Sequence, residues 1–220
     1  MARLARIVVP GIPHHVTQRG VRGMRVFFSD ADYRAYLRIL GRMARRHRLA
    51  VWAYCLMPNH VHLLVVPSDE SGLARPLGEG HRRYALQTNR RRGWTGHLWQ
   101  ERFASFPMDE PHLRAAIRYV LLNPVRAGLV ASCVDWPHSS ARAHVCGESD
   151  SLIDPRPCAE RITDWARFLE SRDDGRTEAV RNHTSIGRPL GSEAFVEGLE
   201  RVTGRRLTPR RAGRRAKRNE

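Results

Sequence analysis

Two β-rich runs, Ala50 to Met57 and His60 to Val66, are separated only by Pro58-Asn59. Two extended segments joined by two turn residues form a hairpin, and that hairpin restricts the possible folds more than any other feature of the chain. Upstream, His15 to Gln18 read as a short strand after the Pro-Gly-x-Pro turn of Pro10 to Pro13. Ser29 or Asp30 then caps a helix with Tyr33, Tyr36, Leu37, Leu40 and Ala44 on one stripe. Downstream, Leu73 to Asn89 give a second helix with Leu77 and Tyr84 in phase, and a fourth strand is expected at about Leu98 to Phe106, after Gly93-Trp94-Thr95-Gly96. The order strand, helix, strand, strand, helix, strand specifies an α+β fold: a ferredoxin-like split βαβ unit whose antiparallel sheet is backed by two helices. A further helix, Pro111 to Leu122, is appended. The pattern is irregular from Asn123-Pro124 through Pro157, and then predicts short helices near Asp164 to Leu169, Glu178 to Asn182 and Ser192 to Val202.

What such a unit acts on is indicated by its charge. The 220 residues carry 38 Lys+Arg against 22 Asp+Glu, a formal net charge of +16. A field of one sign concentrates polyanions, which makes nucleic acid the expected partner. Of the basic residues only Lys217 is a lysine; arginine's planar fork suits phosphate, but coding bias in a GC-rich genome gives the same exchange. From Arg201 to Arg218 nine residues are basic and none acidic, which reads as an arm that follows a phosphate backbone. No run approaches the ~20 apolar residues of a membrane span. The start, Met-Ala-Arg-Leu-Ala-Arg, lacks a signal peptide's apolar stretch, so the expected location is cytoplasmic, nucleoid-associated when bound to DNA. Cys55, Cys133, Cys146 and Cys158 show no Cys-x-x-Cys spacing and are expected to be reduced thiols.

His60-Val61-His62 lies inside a predicted strand, where side chains two apart share a face, so both imidazoles can reach one ion. A pair of histidines satisfied by ordinary hydrogen bonds is the competing reading. In the appended helix, Leu113, Ala116, Ile117, Val120 and Leu121 form the apolar stripe, and Tyr119 falls roughly 130° from its centre, off the expected core face. Asn123, four residues on, shares that flank, although Pro124 disfavours helical geometry at Asn123. His14 and His15 sit on the strand expected to run beside that of His60, which leaves open that one of them touches the same site. Trp94 and Trp99 are candidates for stacking on exposed bases, with core packing as the alternative.

Taken together, four segments resemble the REP-associated tyrosine transposases, single-tyrosine members of the superfamily named for its His-hydrophobic-His motif. They are His14-His15-Val16-Thr17-Gln18-Arg19-Gly20; Met57-Pro58-Asn59-His60-Val61-His62-Leu63-Leu64; Leu98-Trp99-Gln100-Glu101-Arg102-Phe103; and Arg118 to Val130, which contains Tyr119, Asn123 and Arg126. The resemblance spans about residues 10 to 145. It departs from the family pattern at Ala141, where an aromatic residue is usual; at the position of Asn123 more distant insertion-sequence relatives usually have glutamine.

The resemblance implies that His60 and His62 bind a divalent metal ion, Mg²⁺ or Mn²⁺, that Asn123 supplies a third ligand, and that Tyr119 is the nucleophile. It implies single-stranded or hairpin DNA as partner, with no small-molecule substrate. The reaction would be cleavage and rejoining through a 5′-phosphotyrosine link near hairpins of the repetitive extragenic palindrome type. A tyrosine hydroxyl, with an ordinary pKa of ~10, is largely protonated at neutral pH, which assigns much of the electrostatic work to the ion. The expected organisation is a catalytic unit over residues 1–145, an extension with short helices over 146–200 and a basic, disordered DNA-binding arm over 201–220. Candidates for phosphate contact are Arg82, Arg83, Arg90, Arg91, Arg92, Arg102, Arg126, Arg205, Arg206, Arg210 and Arg211. Monomer and homodimer are both open; in a dimer, Tyr119 would be able to complete the neighbour's site. Two rival functions remain: a catalytically silent hairpin-DNA-binding protein acting in repression or DNA architecture, and a metal hydrolase with a water nucleophile. For the hydrolase the sequence offers no carboxylate base near the histidines.

Overall fold

The hairpin forms one side of the molecule's four-stranded sheet in the computed structural model, which describes residues 5–171, 175–184 and 186–208. β2 (Ala50–Met57) and β3 (His60–Val66) pair antiparallel, and β1 (His14–Arg19) pairs with the free side of β3, placing Arg19 opposite His60 and Thr17 opposite His62. β4 (Ala104–Pro107) closes the other side of β1, so the sheet order is β2-β3-β1-β4 and every neighbour is antiparallel. With α1 (Asp30–Arg46) and α2 (Ala74–Arg92) in the crossover positions, this is the expected split βαβ arrangement.

The fourth strand is shorter than expected. Leu98 and Trp99 are neighbours and both are buried, whereas in a regular strand they would face opposite sides of the sheet. The segment therefore loops: Val21 N donates to Leu98 O, Gln100 N donates to Arg19 O, and the Trp99 indole turns into the core and donates to His81 O at 3.0 Å. Regular pairing starts only at Ala104.

Alternation along β3 divides the molecule into two layers. Val61, Leu63 and Val65 point to the face covered by α1 and α2, where they meet Tyr36, Leu40, Leu77 and Tyr84. Leu64 points to the other face, covered by α3 (Glu110–Leu121) through Leu113, Ala116, Ile117 and Val120. His62, two residues before Leu64, shares this second face, as does His60. α3 is capped by Asp109, whose carboxylate accepts from His112 N.

α4 (Asn123–Arg126) follows α3 directly, with Pro124 in its first turn, where a missing N–H costs nothing. Residues 138–140 then run beside the free edge of β2: Leu56 N donates to His138 O, Ser140 N to Tyr54 O, and Tyr54 N to Ser140 Oγ. This covers an edge that would otherwise offer unpaired backbone groups. α5 (Ala141–Val145), α6 (Arg156–Ala159) and α7 (Trp165–Glu170) are short; α8 (Arg176–His183) packs on α3. α9 (Glu193–Thr203) returns to the start of the chain, where Leu199 and Leu207 bury Ile7 and Val9. The three helices expected near Asp164, Glu178 and Ser192 correspond to α7, α8 and α9. Among the described residues no helix is long and apolar enough to cross a membrane.

Candidate active site

The two-residue spacing of His60 and His62 does what a strand makes it do: their rings lie 4.9 Å apart, nearly perpendicular, on one face of β3. The neighbours of each ring fix its chemistry. Asn59 Nδ2 donates to Gly23 O at 3.0 Å, which turns its carbonyl oxygen toward His60, and His60 Nδ1 donates to that oxygen at 2.6 Å. His60 Nε2 is left as a bare lone pair. On His62, Nδ1 lies 3.0 Å from His15 Nε2, and the two rings are stacked at 5.1 Å and 7°. The far nitrogens, His62 Nε2 and His15 Nδ1, are buried and have no partner.

Burial lowers the pKa of all three rings. His60 falls from 6.5 to about 4, mainly by desolvation and further by the nearby Arg19 charge; His15 falls to about 3 by desolvation. His62 is held well below its ordinary value by desolvation, then by His15, His60 and Arg126. At neutral pH all three are neutral imidazoles, the form that ligates metals. A histidine with Nδ1 hydrogen-bonded and Nε2 free is the arrangement metal-ligating histidines adopt, so His60 and His62 fit a divalent ion; the orphaned His62 Nε2 is the strongest sign of it. Among the described residues no three His, Cys, Asp or Glu side chains gather as a metal-binding group.

Tyr119 joins this cluster and corrects one expectation. Its ring packs edge-on to His62 at 5.3 Å and to His15 at 5.9 Å, and the residue is only 8% exposed. The apolar stripe of α3 does exclude it, but the flank on which it sits faces the histidine pair and not solvent. Periodicity identifies one buried face of a helix; here a second, polar face is buried as well. The Arg126 guanidinium lies 4.6 Å over the Tyr119 ring. Two turns beyond Tyr119, Arg126 keeps the same flank, so the flank continues across the α3–α4 junction. Asn123 lies between them, 9% exposed, as the first residue of α4.

Of the two histidines on β1, His15 reaches the site and His14 faces the other layer. His14 Nδ1 donates to Ile12 O at 2.7 Å and its Nε2 accepts from Val9 N at 3.3 Å. Asn59 and the His15–His62 bond were not found by sequence reasoning. Asn59 stands in the Met57-to-Leu64 motif and its position before His60 was a signal, but the His15 contact depends on a strand register that sequence does not specify.

The candidate arginines are spread over the molecule, and among those in the described residues only Arg126 meets the histidine–tyrosine cluster. Arg82 and Arg83 are exposed on α2 and bonded to Glu79 at 2.9 and 2.6 Å. Arg90, Arg91 and Arg92 end α2, with Arg91 held by the buried Asp32 at 2.5 Å and Arg92 4.0 Å over Phe28. Arg102 is exposed in the loop before β4 and Arg206 is exposed after α9. Arg205 donates to the backbone oxygens of Ala5 and Arg6, which ties it to the N-terminal segment. Arg210 and Arg211, with most of the expected arm, lie outside the described residues. A cavity of about 830 Å³ opens between α2 and the 96–103 loop, beside Arg6, His81, Arg82 and Phe103, but His60, His62 and Tyr119 do not line it.

Known proteins resemble this chain in sequence and in fold. Residues 14–122 match the model of the family described as Transposase IS200 like. A protein of Haemophilus influenzae named as a REP-associated tyrosine transposase is 29% identical over 107 residues; the match covers 44% of this chain and 61% of that relative. Among solved structures, that of a REP-associated tyrosine transposase bound to a REP hairpin superposes with a TM-score of 0.55 at 21% identity, covering 70% of this chain and 92% of the other. At that identity the likeness establishes the fold.

Proposed function

We propose, from the match of residues 14–122 to the IS200-like transposase family, that the chain cleaves and rejoins single-stranded DNA next to hairpins of the repetitive palindromic type, using Tyr119 as nucleophile. The observation that carries the reading is the convergence of a tyrosine with two neutral histidines whose Nε2 positions are free, all on one face of the sheet. The hairpin substrate is supported by the names of the relatives, one of which is bound to a REP hairpin.

In the reaction, the Tyr119 oxygen forms a bond to a backbone phosphorus while the bond from that phosphorus to the 3′ oxygen breaks. The net proton goes from the phenol to the released 3′ hydroxyl, leaving a 5′-phosphotyrosine, and the reverse step joins a new 3′ hydroxyl without ATP. His60 and His62 would hold Mg²⁺ or Mn²⁺ through Nε2 with Asn123 as third ligand, and the ion, when bound, polarises the phosphate. Asn59 and His15 keep the two imidazoles in the tautomer and orientation that ligation requires. Arg126, over the Tyr119 ring, places a fixed positive charge where the phosphate's negative charge builds up.

The test is a denaturing gel with end-labelled hairpin DNA and Mn²⁺ or Mg²⁺. The wild type should give a labelled protein adduct, and Tyr119→Phe should give none while still binding the hairpin. Cleavage without any adduct would point to a water nucleophile. Tight binding with neither cleavage nor adduct would leave a catalytically silent hairpin-binding protein.

A further inference from the structure

Trp94 is the tryptophan that the folding of the chain does not account for. Trp99 is buried and hydrogen-bonded, and Trp52, Trp136 and Trp165 pack against the two main core clusters, whereas Trp94 belongs to neither and is 38% exposed. It is nonetheless held in a defined place. Gly93, at φ 66°, ends α2 in the left-handed conformation that glycine tolerates, and Trp94 N turns back to donate to Asn89 O. The ring meets Phe28 edge-on at 5.6 Å, and the Arg92 guanidinium lies 4.0 Å over Phe28 and 5.7 Å from Trp94.

Phe28 is fixed just as firmly. Its N–H and that of Ser29 donate to Asp32 Oδ2, and the same carboxylate binds Arg91, so the start of α1 and the end of α2 are clamped together beneath the aromatic pair. The cluster also lies close to the site. Val26 N and Phe27 N donate to Pro58 O, in the turn that leads into His60. Residues 14–28 and 86–100, which surround the cluster, contain six arginines and no carboxylate. The nearest acids on α1 are already engaged, Asp32 by Arg91 and Asp30 by His138 at 3.2 Å.

Exposed aromatic rings interleaved with arginine are the means by which proteins hold unpaired bases irrespective of sequence: the base stacks on the ring and the guanidinium attends the backbone. We propose that Phe28, Arg92 and Trp94 form a stacking platform for unpaired bases of the single strand that leads from the hairpin to the Tyr119 site. The assignment rests on the DNA-processing function inferred above and adds to it the surface that holds the flanking strand.

The experiment is fluorescence anisotropy with a fluorescein-labelled hairpin carrying an oligothymidine flank, and with the same hairpin carrying an abasic flank. Trp94→Ala should weaken binding to the thymidine flank roughly ten-fold, in line with the loss of one stacked base, while Trp94→Phe keeps most of the affinity. The wild type should lose a similar factor on the abasic flank, where Trp94→Ala then costs nothing further. Trp94→Ala should leave the salt dependence of binding unchanged, whereas Arg92→Ala should lower its slope by about one contact. Equal affinity of wild type and Trp94→Ala for the thymidine flank, or a Trp94→Ala loss that persists on the abasic flank, overturns the platform and leaves the function standing. A wild type that binds neither hairpin overturns both.

Discussion

His15 is fully buried with its Nδ1 unpartnered, an expensive arrangement unless the side chain earns its place through His62. The hydrogen bond in which His62 Nδ1 donates to His15 Nε2 holds one imidazole in register with the other, so that His62 Nε2 points where a ligand would be bound. His15→Leu removes that bond while keeping an apolar filling for the space beside Phe106. Mn²⁺ affinity measured by isothermal titration calorimetry should then fall roughly ten-fold or more, and His15→Gln, which keeps a hydrogen-bonding end, should lose less. Unchanged Mn²⁺ affinity in His15→Leu would reduce His15 to a packing residue. The His60/His62 pair was legible because its logic is local, two positions on one strand. The part played by His15 was not, because residues 47 apart in sequence meet only once the register of β1 on β3 is set.

Among the elements, the junction of α1 and α2 depends on one side chain. Asp32 is 1% exposed, accepts from the backbone of Phe28 and Ser29 to form the reciprocal cap of α1, and binds Arg91 at the end of α2. Asp32→Ala leaves two backbone donors and a guanidinium without their partner, and chemical denaturation should show a loss of about 3 kcal/mol. Asp32→Asn keeps an oxygen for the cap and should lose less. Equal stability of all three proteins would mean that water replaces the clamp. The same elements show how far periodicity can be read. β2 and β3 were found to the residue, since a two-residue turn leaves the strands no freedom, and Ser29 announced the start of α1. β4 was overextended because Leu98 and Trp99 are apolar for the sake of the α1–α2 core, an environment that no local pattern distinguishes from a strand. The periodicity puts Tyr119 off the apolar stripe but does not show that its flank is buried against the histidines, because an apolar stripe does not reveal that a polar face is covered too.

Over the whole molecule, charge and buried histidines act in the same direction. His14 and His81 are buried in the α1–α2 layer, away from the histidine–tyrosine site. Desolvation lowers His14 to about 4 against two backbone hydrogen bonds that raise it, and lowers His81 to about 3, helped by the Arg6 charge. His81 is surrounded by Tyr36, whose hydroxyl lies 2.9 Å from its Nε2, and by the rings of Trp99 and Phe103, none of them a counter-ion. In the unfolded chain both histidines return to an ordinary pKa near 6.5, so between that value and the folded values the unfolded state binds more protons. Stability is therefore complete above about pH 6.5 and declines steadily as the pH falls toward 4 and then 3. At pH 5 each histidine removes about 2 kcal/mol, and every added proton also raises the repulsion within a chain whose formal charge is already +16 at pH 7. Melting temperature should be level from pH 8 to 7 and drop steeply between pH 6 and 4. His81→Gln, which keeps a polar partner for Tyr36 but cannot titrate, should flatten that drop by one histidine's share. An identical pH profile for wild type and His81→Gln would show that His81 takes up its proton without the protein unfolding, by leaving its place beneath Trp99.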